Sequence, residues 1–125
     1  MSRLVLIVED SEICAETQQI ALELIPGVEV RSLDSPRAAI AVLNENDSDV
    51  AALVTDLNLQ LTGDGLDLIR RIRAEPRFAR LPILLISGDS DPRLSERALA
   101  QGADAFFPKP YSPAAVRRKL EQLLC

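Results

Sequence analysis

Short apolar runs set between polar stretches of helical length constrain this chain most. Leu4–Val8 (LVLIV), Val50–Thr55 (VAALVT) and Ile83–Ile86 (ILLI) show no alternation of apolar and polar residues. A strand wetted on one face alternates, so runs like these read as strands buried on both faces, in a parallel sheet covered by helices. Each run ends at a chemically loaded residue: Glu9-Asp10, Asp56 and Ser87, with Lys109 following Ala105-Phe106-Phe107-Pro108. Open α/β sheets place their sites at the carboxyl ends of strands. Three carboxylates, a hydroxyl and an ammonium gathered there suit a divalent cation and a phosphoryl group.

Composition narrows the chemistry further. The 125 residues fit one domain, and 47% hydrophobic with 26% charged residues is ordinary for a globular protein. A net charge of −5 with no basic cluster argues against direct nucleic-acid binding. No apolar run approaches the roughly 20 residues needed to span a bilayer. Met1-Ser2-Arg3-Leu4 enters the first strand at once, so no signal peptide is expected and the chain reads as cytoplasmic. Cys14 and Cys125 are too few for a disulfide framework or a zinc site. Histidine is absent, which removes Ser-His and Cys-His nucleophilic schemes. Metal chemistry must then use carboxylates, whose oxygens favour magnesium, calcium or manganese.

Five βα units follow one another. The strands are expected at Leu4–Val8, Val28–Leu33, Val50–Thr55, Pro82–Ile86 and Asp104–Phe107, and Val28–Leu33 alternates as a strand near an edge does. Ser11 caps a first helix running to about Ile25, with Ile13, Thr17, Ile20, Ala21 and Leu24 as its apolar face and Cys14 at the rim of that face. Ser35-Pro36 opens a second helix reaching Glu45, and Asn46-Asp47-Ser48 is a loop. A third helix covers about Asp64–Ala74, buried through Leu66, Ile69 and Ile72, with Arg70, Arg71 and Arg73 on its solvated face. A fourth, about Pro92–Gln101, ends at Gly102, a good C-cap residue. Ser112-Pro113 opens the last, whose Val116, Leu120, Leu123 and Leu124 face the core; Arg117-Arg118-Lys119 are read as lying near its carboxyl end. This alternation implies a doubly wound sheet with right-handed crossovers.

With Val8-Glu9-Asp10, Val54-Thr55-Asp56-Leu57, Asp64-Gly65-Leu66, Ile86-Ser87-Gly88, Gly102-Ala103-Asp104 and Phe106-Phe107-Pro108-Lys109-Pro110 in this order, the chain resembles the receiver domain of two-component response regulators, of the chemotaxis-regulator type. The resemblance covers nearly the whole chain, so residues 1–125 are expected to form a single receiver domain. It implies a flavodoxin-like (βα)5 sandwich whose five-stranded parallel sheet has the order 2-1-3-4-5.

The resemblance also implies a role for each site residue. Asp56 is the phosphoacceptor, taking its phosphoryl group from a partner histidine kinase or histidine phosphotransfer protein. Magnesium, or manganese in its place, is held by Asp10, Asp56 and the main-chain carbonyl of Asn58, with Glu9 acting through water. Lys109 pairs with Asp56 before phosphorylation and with a phosphoryl oxygen afterwards, and the Ser87 hydroxyl donates to another. Lys109-Pro110 is a cis peptide, and Asn58 and Asp89 tune autodephosphorylation. The phosphoryl group adds about −1.5 to −2 of charge. It draws Ser87 inward, and Phe106 turns into the vacated space. The face made by the fourth helix, fifth strand and fifth helix then changes toward a downstream output partner or a phosphorylation-dependent homodimer. A signalling phosphoacceptor is expected, not an enzyme in the usual sense, and without a membrane partner.

Three rival functions each meet an obstacle in the residues. A haloacid-dehalogenase-type phosphohydrolase needs a second aspartate two positions after the nucleophile, where this chain has Asn58, and a cap domain that it lacks. A receiver-like docking module that works without phosphorylation leaves Glu9, Asp10, Asp56, Ser87 and Lys109 without a purpose. A flavin-binding relative needs a Ser/Thr-rich phosphate loop after the first strand. Two departures from the family stand out. The segment Leu59-Gln60-Leu61-Thr62-Gly63 has no proline and is one residue longer, so a more mobile loop is expected beside the site. Pro108 removes a strand N–H, which an edge strand tolerates.

Overall fold

A computed structural model describes residues 3–45, 49–59, 62–89 and 91–124. Asn46-Asp47-Ser48, Gln60-Leu61, Ser90 and Cys125 lie outside the described residues. The elements are β1 (Arg3–Val8), α1 (Glu12–Leu22), β2 (Val28–Leu33), α2 (Pro36–Glu45), β3 (Val50–Asp56), α3 (Gly65–Arg73), β4 (Ile83–Ser87), α4 (Leu94–Gln101), β5 (Ala105–Pro108) and α5 (Pro113–Leu124). All strand pairs are parallel, in the order β2-β1-β3-β4-β5. This is the flavodoxin-like arrangement anticipated above, with β2 and β5 as the edges. One element had no counterpart in the sequence reading, a 3-10 turn at Pro76–Phe78 that buries Phe78.

Side chains of a strand alternate between faces, so the apolar runs feed two separate cores. Leu4, Leu6, Val8, Leu53, Ile83 and Leu85 pack under α2, α3 and α4. Val5, Ile7, Ala52, Val54, Leu84 and Ile86 pack under α1 and α5. A register shift between Leu4 and Val5 places Val5 opposite Ala52 and not Ala51. Because one residue of slip exchanges the faces, Val50 and Leu53 end up in the same core.

Helix starts follow the serines. The hydroxyl oxygens of Ser11, Ser35 and Ser112 accept from the N–H groups of Cys14, Ala38 and Ala115, at 3.4, 3.1 and 3.2 Å. Each satisfies a donor that the helix itself leaves open. Arg117, Arg118 and Lys119 sit in the middle of α5, not near its end as expected, and Arg117 pairs with Glu121 at 3.5 Å.

Two side-chain assignments are corrected. The buried residues of α1 are Ala15, Gln18, Ala21 and Leu22, whereas Ile13, Ile20 and Leu24 are 78%, 69% and 65% exposed. Two apolar stripes run along this helix. The buried one carries Ala15, Ala21 and Leu22, of which Leu22 joins the core shared with Val116 and Leu120 of α5, and polar Gln18 at its centre disguised it. The helix also ends at Leu22, with Ile25 buried just beyond it.

Arg73 is the second correction. Its side chain is not on a solvated face but bridges three segments. Nε and Nη2 donate to the Gly102 carbonyl at 3.0 and 2.8 Å, Nη1 to Phe78 O at 2.7 Å, and Nη2 to Asp104 Oδ2 at 3.1 Å. Gly102 closes α4 at φ +114°, and a Cβ there would stand 2.7 Å from Arg73 Cγ. Gly102→Ala is therefore expected to cost roughly 2 kcal/mol of stability from backbone strain and displacement of Arg73. Ile13→Ala, on the exposed stripe, should change it by less than about 0.5 kcal/mol. Urea unfolding of the two variants checks both.

Candidate functional site

The chain turns from one side of the sheet to the other between β1 and β3, and the crevice beyond their carboxyl ends is where an α/β sheet receives ligands. The sheet's hydrogen bonding continues past the strands there. Glu9 N donates to Leu33 O at 2.9 Å, Leu57 N to Ile86 O at 2.8 Å, and Lys109 N to Ser87 O at 2.7 Å. The backbones bearing the candidate residues are thus fixed by the same ladder that builds the core.

Asp56 is 4% exposed, and its Oδ2 receives Lys109 Nζ at 2.6 Å. Its Oδ1 accepts from Asn58 N at 3.0 Å. Glu9 is also buried. Its Oε2 accepts from Ser11 N at 3.3 Å, while Oε1 has no hydrogen-bond partner and lies 3.7 Å from Lys109 Nζ. One ammonium therefore stands against two buried carboxylates. The Lys109–Pro110 peptide is cis.

The remaining candidates surround this triad. Ser87 is fully buried at the end of β4, and its Oγ accepts from Asp89 N at 2.9 Å. Asp10 is half-buried and shares with Glu9 a groove of about 380 Å³ whose wall also includes Glu12, Ser32 and Asp34. Phe106 is half-buried against the core under α2, α3 and α4, while Phe107 packs on the opposite core. Asn58 is exposed and reaches the triad through its main chain.

Protonation follows from this crowding. Burial and the neighbouring Asp56, through its charge and a hydrogen-bonding contact, raise Glu9 to about 7, against the opposing pull of Lys109 and the Ser11 N–H. Burial pulls Lys109 down, but its hydrogen bond to Asp56 and the charges of Asp56 and Glu9 outweigh it and hold the ammonium above the ordinary lysine value. The folded chain thus keeps a proton on Glu9 that the unfolded chain releases near 4.5. That contribution to stability is complete below pH 4.5 and is lost as pH climbs through about 7.

The residues fit a hard divalent cation. The crevice offers oxygen donors only, and two carboxylates repel across it with Glu9 Oε1 unsatisfied. Among the described residues no three acids already converge on one point as a ready-made metal cluster.

Gly65 shows why an Asp-Gly pair follows Asp56 in the chain. An added Cβ would overlap the Asp56 carbonyl oxygen, and Gly65 N donates to Leu57 O at 2.8 Å. Asp64 caps α3 by accepting from Leu66 N at 2.6 Å. The described parts of the long loop are anchored and not loose. Asn58 bridges to Asp64, Thr62 Oγ1 donates to Leu59 O at 2.7 Å, and Leu59 is fully buried. Sequence reasoning missed Leu59 as a core residue, and it missed Tyr111 and Gln18, which meet where α1 faces the segment after Lys109. Only the apolar character of Leu59 was a usable signal.

This fold belongs to the flavodoxin-like α/β modules, and comparison with known proteins gives the family. Residues 5–121 match the response regulator receiver domain, and the chain belongs to that family. The chain is 28% identical over 119 residues to the chemotaxis protein CheY homolog of Campylobacter jejuni, covering 95% of this chain and 90% of that one. It is 34% identical over 77 residues to the chemotaxis protein CheY1 of Helicobacter pylori, a match that spans 62% of this chain and 61% of that protein. A crystal structure of a putative response regulator from Chloroflexus aurantiacus superposes with a TM-score of 0.87 at 28% identity, covering 99% of this chain and 98% of the other. Membership implies a histidine kinase partner and a role in signalling, typically not catalysis. The family generally uses Mg2+. Among the described residues no helix is long and apolar enough to cross a membrane.

Removing the ammonium should expose the repulsion it balances. Lys109→Met is expected to cost roughly 2–3 kcal/mol at pH 8, because it leaves two buried carboxylates without a counter-charge. Adding Asp56→Asn should recover most of that loss, and the coupling can be measured by a double-mutant cycle of urea unfolding.

Proposed function

We propose that the chain is a phosphoacceptor switch in which Asp56 receives a phosphoryl group from phosphohistidine on a histidine kinase or histidine phosphotransfer protein. The observation that carries this is the buried Asp56 carboxylate held by Lys109 Nζ at 2.6 Å beside a second buried acid. A carboxylate oxygen attacks phosphorus, a P–O bond forms, and the P–N bond to the donor imidazole breaks with its electron pair returning to that ring. Attack by one anion on another requires positive charge at the site, and Lys109 supplies part of it as its ammonium follows the charge from Asp56 to a phosphoryl oxygen. Asp10, Asp56 and the Asn58 carbonyl, with Glu9 through water, are the groups to hold magnesium, which when bound supplies the remaining neutralisation. Ser87 then donates to another phosphoryl oxygen. Residues 1–125 act as one receiver unit, and slow hydrolysis of the acyl phosphate, tuned at Asn58 and Asp89, ends the signal.

The exposed stripe on α1 is where the donor docks. Ile13 and Thr17 wall a groove of about 510 Å³ together with Gly88, Lys109 and Tyr111, and Ile20 and Leu24 extend the apolar surface along the helix. A helix carrying the donor histidine can cover this stripe while its imidazole reaches the crevice. The response is read elsewhere, on the face of α4, β5 and α5, where Phe106 follows Ser87 inward and a downstream partner or second copy engages. The added charge shifts the two states only by its differential interaction with them.

Incubation with acetyl phosphate and magnesium should add one phosphoryl mass, absent in Asp56→Asn and after chelation. Ile20→Asp should leave that labelling unchanged while slowing transfer from a phosphohistidine donor at least about tenfold, the equivalent of 1.4 kcal/mol of lost docking. Failure of acetyl phosphate and of beryllofluoride alike to occupy Asp56 in folded, magnesium-loaded protein would refute the phosphoacceptor reading.

A further inference from the structure

We propose that Gln18 is a positioning residue for Lys109, acting from the buried side of α1 through the Tyr111 phenol. The inference rests on the phosphoacceptor reading of Asp56 and adds a residue that sets where the reacting ammonium stands.

Gln18 occupies a place that an apolar side chain would fill at less cost. It is 3% exposed on the buried stripe of α1, with Ala15, Ala21 and Leu22. Its Nε2 is buried and has no hydrogen-bond partner among the described residues. An amide N–H buried without a partner lowers stability, and an apolar side chain of the same length would remove that penalty. Local rules broken in this way collect at functional positions. What the amide does face is Tyr111. Burial raises the phenol above its ordinary value, and the Gln18 amide opposes that rise by favouring the phenolate, as does the Lys109 ammonium. The two side chains therefore meet, although Nε2 closes no hydrogen bond of good geometry.

Tyr111 lies two residues after Lys109, in a short segment held at both ends. Lys109 N donates to Ser87 O at 2.7 Å, and Ser112 Oγ accepts from Ala115 N at 3.2 Å where α5 begins. Between these anchors the Tyr111 ring packs on the core under α1 and α5. It also shares with Lys109, Ile13 and Cys14 the wall of the groove of about 510 Å³. The seat of the ring against α1 thus limits the segment that carries the Lys109 stem. Nζ stands 2.6 Å from Asp56 Oδ2 and 3.7 Å from Glu9 Oε1, so a small shift of the stem changes how one cation is divided between two carboxylates. Misplacing a reacting group slows a reaction without weakening the fold. Gln18 lowers stability and fixes this geometry.

Gln18→Met keeps the length of the side chain and removes the amide. Lys109 is one of two lysines in the chain, so its ε-carbon-13 NMR signal can be followed singly. In Gln18→Met that signal should shift while the signal of Lys119 stays in place. Labelling by acetyl phosphate and magnesium should slow about tenfold, while urea unfolding shows stability unchanged or increased. Tyr111→Phe should slow labelling to the same extent, and the double variant no further, because both changes break one contact. Labelling of Gln18→Met at the unmodified rate, an unmoved Lys109 signal, or losses that multiply in the double variant would overturn the positioning role and leave Asp56 as phosphoacceptor. A marked loss of stability in Gln18→Met would overturn it too, by assigning Gln18 to the core. Absence of a phosphoryl adduct on the unmodified chain would overturn both.

Discussion

One ammonium facing two buried carboxylates is the interaction on which this structure turns. Lys109 Nζ lies 2.6 Å from Asp56 and 3.7 Å from Glu9, and neither acid is open to bulk water. A buried charge is tolerated only when it is compensated, and here a single positive group is divided between two negative ones. The groups are held together by main-chain hydrogen bonds, because the strand ends that carry them belong to the continuous sheet ladder. A site that folds under this residual repulsion is ready to take up further positive charge, or a proton, at little structural cost.

The sheet explains why those residues can be assembled at all. Parallel strands end together, so residues far apart in the chain, Glu9, Asp56, Ser87 and Lys109, share one crevice. Apolar side chains on both faces of β1, β3 and β4 keep the strand ends from moving independently. Gly65 lets α3 begin against the Asp56 backbone, and Leu59 plugs the loop between them into the core. At the opposite end of the sheet, Arg73 ties α3 to the start of β5.

Strands buried on both faces were legible because runs such as LVLIV and ILLI are too short for helices and are bounded by polar stretches, which fits a covered parallel sheet. The serine caps and Gly102 were legible because each supplies a backbone need that can be stated without a tertiary neighbour. The members of the crevice were legible from their position immediately after strands. What failed was what depends on neighbours. The phase of α1 could not be read because two stripes competed and the buried one contains Gln18. Arg73 could not be told from Arg70 and Arg71, since only the fold brings the carbonyls of Gly102 and Phe78 to its guanidinium. The anchoring of the loop after Asp56 was hidden for the same reason, because the burial of Leu59 depends on where α3 packs.

Titration of the Glu9 side-chain carboxyl by carbon-13 NMR tests the charge balance most directly. In the metal-free chain this carboxyl should titrate near 7, driven up by burial and by Asp56. Asp56→Asn should lower it and Lys109→Met should raise it, since the first removes a repelling charge and the second an attracting one. A value near 4.5 in all three proteins would contradict the account, because Glu9 would then be neither crowded by Asp56 nor balanced by Lys109.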